Sequence, residues 1–316
     1  MAKAPFEEMR ERMIKKAKEG ITSAYANEEY ALIQAINAYL ETGKSYNLLF
    51  ERLTEWYGIY FPEVKITNPK TLADLAIVLN SKSEISQETI NSIINDEQKS
   101  ASLYKKATST MGREMSDNER NAVLGFAKLS NQMYDTLLEL ESYIKTTSKA
   151  LMPNATYLTD EKIAAELLSK AGSLERLATM PASTIQLLGA EKALFKHIKF
   201  GSKPPKYGVL FKLAEISTGP RDKRGRIARA YATKVSIGLK ADYFTKNFIA
   251  DKLKEDLEKT LKKIKETPNR GPKEGSSSNF NRGPPRNRFN QGNHSQNRFR
   301  SNRGNERRGP RGPPRH

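Results

Sequence analysis

A chain of 316 residues with 54 Lys plus Arg against 36 Asp plus Glu, a net charge of +18, has room for two ordinary domains and the charge of a protein that meets a polyanion. It has no cysteine, which excludes disulfide scaffolds and cysteine zinc sites, and its three histidines, His197, His294 and His316, have no metal-ligand spacing. It contains no apolar run of about 18 residues and no apolar leader core, so neither a membrane span nor an export signal is expected.

The first strong periodicity runs from about Glu28 to Tyr60. Ile33, Ile36, Leu40, Leu49, Leu53, Trp56 and Tyr60 recur at threes, fours and their sums, which predicts a long amphipathic helix ended by Phe61-Pro62. Trp56 reads as a packing residue near the helix end. A shorter helix is expected after Asn68-Pro-Lys-Thr71. Ser116-Asp-Asn-Glu119 has the pattern of a capping box and opens a second long helix, reaching about Met152-Pro153, with Phe126, Met133, Leu137, Leu140 and Ile144 in near-heptad register. Two long helices with a connection between them predict an antiparallel hairpin. It is too long for one small core to cover both faces, so either the globular part folds back on it or a second chain packs against it.

After Pro153, short helices are expected at about 160–170 and 173–179. Two basic helices follow, joined by a Pro/Gly-bound loop. If residues 184–199 are one helix, Lys192, Lys196 and Lys199 fall on one face while Ile185, Leu188 and Phe195 turn inward. Gly189 then sits inside that helix at a cost of about 1 kcal/mol, which close approach of a nucleic-acid backbone or of a neighbouring helix would offset. The second helix, from about Arg224, sets Ile227, Tyr231 and Val235 on one stripe with Arg226, Arg229 and Thr233 beside it. The turn Gly219-Pro-Arg-Asp-Lys-Arg-Gly225 adds cations just before it, and phosphate would meet these side chains or the helix-start amides. Residues 242–266 carry Leu253, Leu257, Leu261 and Ile264 at helical spacing, as a capping or linker helix partly in solvent.

Residues 267–316 hold eleven Arg and one Lys against Glu274 and Glu306, a net of +10, which leaves +8 for the first 266 residues. Their only apolar residues are Phe280, Phe289 and Phe299, too few to offset the entropy of ordering, so this tail is expected to be disordered. Its Arg-Gly steps and repeated Asn-Arg-Phe suit weak, salt-sensitive RNA binding, or a solubilising end with no specific role.

The order GSLERLATMPASTIQLLGAEKALFKH, PPKYGVLF, RGRIARAYATK and ADYF resembles the Nop domain shared by box C/D ribonucleoprotein core proteins and a spliceosomal relative. The resemblance extends upstream through Ala35-Ile-Asn-Ala38, Asn47 to Tyr57, Tyr60-Phe-Pro-Glu63 and Met111-Gly112, covering roughly residues 20–250. Thr159-Asp-Glu-Lys162 and Gly238-Leu-Lys240 depart from the family pattern. Archaeal members usually begin with a separate domain that docks fibrillarin, whereas this sequence enters the hairpin almost at once. A separate polypeptide supplying that domain, a shortened chain, or a paralogue working without fibrillarin all stay open.

The resemblance implies an all-α protein: a long antiparallel helical-hairpin coiled coil for dimerisation at residues 1–153, a globular helical Nop domain at 154–266 that binds RNA and ribonucleoprotein, then the disordered tail at 267–316. It implies a scaffold without catalytic residues, metal or cofactor. The partners are a box C/D-type guide RNA, a ribosomal-type kink-turn-binding protein and fibrillarin, which performs RNA-guided 2′-O-methylation. A homodimer or heterodimer forms through the hairpin, with Ile36, Leu40, Met133, Leu137 and Leu140 as the expected contact residues. Gly189, Ala190, Glu191, Lys192, Lys196, His197 and Lys199 are expected against RNA, edged by Lys203, Lys206 and Tyr207, with Arg224, Arg226, Arg229 and Lys234 as further candidates. His197 could stack on a base or close a helix end. The expected location is archaeal cytoplasm, or the nucleolus in a eukaryote. The sequence lacks phosphate-cradling glycine motifs, which argues against an enzyme. Competing readings are a stand-alone RNA chaperone that binds through the tail, a spliceosomal-type Nop protein, and an RNA-modifying enzyme acting alone.

Overall fold

A computed structural model describes residues 5–25, 27–79 and 86–267, and all regular elements among them are helical. The expected disorder of the tail concerns residues that, beyond Thr267, lie outside the described ones. Helix α1 (Pro5–Tyr25), to which the periodicity analysis assigned no element, leads into α2 (Glu28–Tyr57), whose start is capped by the Asn27 side chain accepting from Glu29 N at 3.3 Å. Helix α2 stops at Tyr57, short of the expected Tyr60. The chain tightens through bonds from Ile59 N to Trp56 O and Tyr60 N to Tyr57 O, because Pro62 disfavours helical geometry at the residue before it. Helix α3 (Pro69–Val78) has Asn68 as its cap, accepting from the amides of Lys70 and Thr71, and Pro69 at its first position. Two short helices not read from the sequence follow, α4 (Gln87–Ile94) and α5 (Glu97–Thr108).

The long partner helix is α6 (Asp117–Leu151), and its capping box forms as expected. Ser116 Oγ accepts from Glu119 N at 3.4 Å while the Glu119 carboxylate accepts from Ser116 N at 2.9 Å. Bonds from Arg113 and then from Ser116 hold the Glu119 carboxyl down at about 2. Side-chain contacts pair Tyr39 with Glu141, Tyr46 with Tyr134 and Trp56 with Phe126, so residue numbers fall on α6 as they rise on α2 and the hairpin is antiparallel.

The remaining helices are α7 (Pro153–Leu158), α8 (Glu161–Ala171), α9 (Leu174–Thr179), α10 (Ala182–Leu187), α11 (Glu191–Phe200), α12 (Ala214–Ser217), α13 (Arg224–Lys240) and α14 (Ala250–Glu266). A 3₁₀ turn at Val209–Lys212 precedes α12, and a π turn at Ala241–Thr245 follows α13. Buried apolar residues form two cores. One, at the far end of the hairpin, joins Leu53, Tyr57 and Phe61 to α3, Ile90, Leu103 and Val123. The larger takes Leu32 and Ile36 of α2, Ile144 of α6 and the inner faces of α7 to α10 and of α12 to α14. It runs across residue 153, so the expected limit between a hairpin domain and a Nop domain is not a break in packing. Leu253, Leu257, Leu261 and Ile264 of α14 are buried in it while the rest of the helix surface is exposed, so this helix caps the core with one face and leaves the other in solvent.

A polar clamp fixes the hairpin base. The Asp242 carboxylate, on the π turn, accepts from the backbone N–H groups of Asn154 and Ala155, both at 3.0 Å, and from Asn154 Nδ2 at 2.7 Å. Asn154 in turn accepts from Ile249 N at 2.7 Å and donates to Asn247 O at 2.8 Å. Burial pushes the Asp242 carboxyl above its ordinary range despite these bonds.

The hairpin residues expected to meet a second chain are partly spent within this one. Ile36 is 1% exposed in the larger core, and Leu40 and Leu140 pack half-buried against the same core. The reason is that α8 lies along α2 and α6 at this level, with Lys162 bonded to both Glu141 and Tyr39. Met133 and Leu137 are half-buried, while Leu48, Leu129, Leu138, Tyr30 and Tyr143 are exposed on α2 and α6.

Candidate nucleic-acid interface

Residues 184–199 do not form one helix. Helix α10 ends at Leu187, the chain turns at Leu188–Ala190, and α11 begins at Glu191. Gly189 stands at the turn with φ +90°, a left-handed conformation that side-chain-bearing residues rarely adopt, and a Cβ there would come within 2.6 Å of Val209 Cγ2. The turn is zipped to the loop before the 3₁₀ turn by bonds from Gly208 N to Gln186 O at 2.9 Å and from Val209 N to Leu188 O at 2.8 Å. Gly208 permits this approach, since a Cβ on it would lie 2.0 Å from Leu188 O. Close packing at Gly189 was expected; the neighbour within the chain is a loop.

Gln186, which the sequence reading left out, organises the site. Its Nε2 donates to Lys206 O at 2.6 Å and approaches Gly225 O at 3.5 Å, so one buried amide brings the Gly189 turn, the 201–208 loop and the first turn of α13 together. The signal in the sequence was an amide set between Ile185 and Leu187 in an apolar run. Lys206 lies with its stem against Gly225. Tyr207 is half-buried and stacked on Phe211, with ring centroids 4.6 Å apart.

Helix α11 has no buried residue. Lys192, Lys196 and Lys199 are exposed along it as expected, but Phe195 is 69% exposed rather than inward, and Ile198 and Phe200 stand beside it in solvent. The turn at Gly189 swings α11 off the core, and only Leu194 and His197 are half-covered. His197 uses Nδ1 to bond the Ser202 carbonyl and so closes the helix end, where Gly201 is left-handed at φ +68°. The Glu191 carboxylate accepts the Gly189 N–H at 2.7 Å, locking the turn next to Ala190. Among the described residues Lys192, Lys196, Lys203, Lys206, Arg226 and Arg229 are exposed and form no ion pair.

Two candidates are committed elsewhere. Arg224 turns back on its own segment, with Nε donating to Gly219 O at 2.9 Å, a terminal nitrogen to Ser217 O at 2.7 Å, and the guanidinium over the Phe211 ring. Lys234 pairs with Asp256 of α14 at 3.3 Å. The α13 start offers little free amide, because Lys223 N and Arg224 N bond Pro220 O and Arg226 N bonds Lys223 O. The arrangement therefore presents exposed cations on a surface of rigid turns, without a clustered acid–base pair. No three His, Asp or Glu side chains among the described residues come together as metal ligands, and no helix among them is long and apolar enough to cross a membrane.

A family description reading "snoRNA binding domain, fibrillarin", under the name Nop, matches residues 39–263. An uncharacterised NOP5 family protein of Methanocaldococcus jannaschii is 36% identical over 248 residues, 78% of this chain and 59% of that protein. Nucleolar protein 56 of Dictyostelium discoideum is 36% identical over 222 residues, 68% of this chain and 41% of its own length. Nucleolar protein 56 of Mus musculus is 32% identical over 73% of this chain and 41% of its own. The chain thus spans only about half the length of these relatives. A chain in a crystal structure of a fibrillarin/Nop5p complex is similar at a TM-score of 0.47 and 23% identity, over 84% of this chain and 80% of that one, a likeness too loose to carry an argument. The matched stretch takes in most of the hairpin, the Gly189 turn, both basic helices and most of α14, and on that footing the chain belongs to the Nop family.

Proposed function

We propose that this chain is a non-catalytic scaffold of a box C/D-type guide ribonucleoprotein. It binds a composite surface of a kink-turn RNA and the small protein that folds that RNA, and it supports RNA-guided 2′-O-methylation of rRNA or tRNA by fibrillarin. The observation that carries the reading is the set of exposed, unpaired cations around the Gly189 turn, on a chain whose family description is snoRNA binding. Lys192, Lys196 and Lys199 on α11, Lys203 and Lys206 on the loop, and Arg226 and Arg229 on α13 meet phosphate. Helix α11 begins without a side-chain cap, so its first-turn amides add to the anion-binding character. Phosphate contacts set the register, and the shape and unstacked bases of the kink set specificity. The hairpin holds two such units together through Leu48, Leu137 and Leu138. If the chain is eukaryotic, its place is the nucleolus, where relatives named nucleolar protein 56 are found by name; if archaeal, the cytoplasm.

Binding to a kink-turn RNA as a function of salt tests this. Alanine at Lys192, Lys196 and Arg229 together is expected to weaken binding by about 3 kcal/mol, roughly a hundredfold, and to lower the salt slope by about 2 to 3. Unchanged affinity and slope would transfer the binding to the Arg/Gly tail, the stand-alone chaperone reading.

A further inference from the structure

Helix α13 carries five cations, Arg224, Arg226, Arg229, Lys234 and Lys240, and no acid. At about 100° per residue, Arg226, Arg229, Thr233, Ile237 and Lys240 fall within one arc of about 80°. All five are exposed. The arc runs about 21 Å along the helix and starts at the two arginines assigned above to phosphate. Its own cations, Arg226, Arg229 and Lys240, form no ion pair among the described residues.

At its far end α13 passes into the π turn, a kind of element often found at functional sites. Three large rings stand in water there: Phe244, Phe248 and Tyr157 are 62%, 52% and 45% exposed. Tyr157 and Phe248 meet edge to face with centroids 5.6 Å apart, and Phe244 meets half-buried Tyr243 in the same way at 4.9 Å. The backbone beneath them is fixed by the buried clamp. Asn247 and Ile249, on either side of Phe248, both bond the Asn154 side chain. Asp242, two residues before Phe244, holds the N–H groups of Asn154 and Ala155, and Tyr157 follows on the same short helix. A rigid base that holds rings away from the core presents a preorganised contact surface.

Charge says what such a surface fits. Lys240 and Lys246 are exposed without an ion pair at the two ends of the π turn, and Lys254 lies over the Tyr157 ring at 4.7 Å. Two acids of α14 on this side are engaged, Asp251 with the Tyr157 hydroxyl and Asp256 with Lys234. A line of cations leading to open rings suits single-stranded nucleic acid, because phosphates follow the cations while every unpaired base offers a face for stacking. A duplex keeps its base faces stacked on one another and has none to give. An apolar protein face would cover these cations without matching them.

We propose that the exposed face of α13 and the aromatic cluster at its end form a track for a single-stranded RNA segment, with Arg226, Arg229 and Lys240 on phosphates and bases stacked on Phe244 and Phe248. The track rests on the reading that α13 faces RNA, and adds to it a second site that needs no kink. To test it, the full-length chain is irradiated with a short single-stranded RNA carrying 4-thiouridine, and the cross-linked peptides are mapped by mass spectrometry. Adducts are expected at Phe244, Phe248 or Tyr157, whatever else forms in the tail. Phe244→Ala with Phe248→Ala is expected to lower the yield at the remaining Tyr157 about tenfold, with circular dichroism unchanged. The same double variant is expected to bind a kink-turn RNA that has no single-stranded extension as the parent chain does, in the presence of the kink-turn-binding protein. Adducts confined to α11 or to residues 267–316 overturn the track and leave the rings to a protein partner. Equal adducts at the turn with duplex RNA overturn it as well. Failure of the parent chain to bind the kink-turn RNA, with adducts still at the turn, would count against the function proposed above and not against the track.

Discussion

Gly189 and Gln186 carry the site at the scale of single residues. Gly189→Ala adds both left-handed strain and a collision with Val209, and is expected to lower unfolding free energy by about 2 kcal/mol or more in urea titrations, with RNA affinity falling alongside. Gln186→Leu keeps the volume but strips the Lys206 and Gly225 carbonyls of their donor, for an expected cost of about 1–3 kcal/mol. Asp242 gives a pH signature. Its native carboxyl titrates above the ordinary range, so the folded state holds the proton more tightly, and stability falls as pH rises from the ordinary carboxylate range through the native value. In Asp242→Asn that slope is expected to disappear from unfolding curves taken between about pH 4 and 7. The cations of the site were legible as types and spacings, because exposed lysines at i, i+4 and i+7 need no tertiary information. The inward turn of Arg224, the pairing of Lys234 with Asp256 and the exposure of Phe195 were not, since each depends on a partner distant in sequence or on the break at Gly189.

Among the elements, the long helices declared themselves through local chemistry. The Ser116–Glu119 box, the Asn68–Pro69 start and the Pro62 stop are all written within five residues of the boundary they set. Ser116→Ala is expected to cost about 1 kcal/mol, measured by thermal or urea unfolding. The break between α10 and α11 was hidden for the opposite reason. Residues 184–199 keep helical periodicity on both sides of Gly189, whose cost alone does not dictate a break, and the interruption is imposed by the loop at residues 208–209 bonding to the carbonyls of Gln186 and Leu188. Helices α4 and α5 are short and need α3 and the hairpin end to bury Ile90 and Leu103, so their own periodicity said little.

Across the whole molecule, the hairpin base and the Nop-type helices share one core, and the Asp242–Asn154 clamp sits at their junction. Leu32→Ala, at 0% exposed in that core, is expected to destabilise by about 2–5 kcal/mol in a single unfolding transition that also abolishes RNA binding. The all-α class and the hairpin followed from periodicity and the family motifs, whereas the continuity of the core across Pro153 did not, because it depends on how α8 and α13 fold back. The charge is likewise divided, with more than half of the excess lying in residues 267–316. The central claim is that the folded part, and not this tail, discriminates a kinked RNA. The most direct measurement is a binding titration of the chain cut after Thr267 against a kink-turn RNA and an unkinked RNA of the same composition, each with and without the small kink-turn-binding protein. The account predicts tight binding only to the kinked RNA carrying that protein, with discrimination undiminished by loss of the tail. Equal binding to both RNAs, or loss of all binding on truncation, would contradict it.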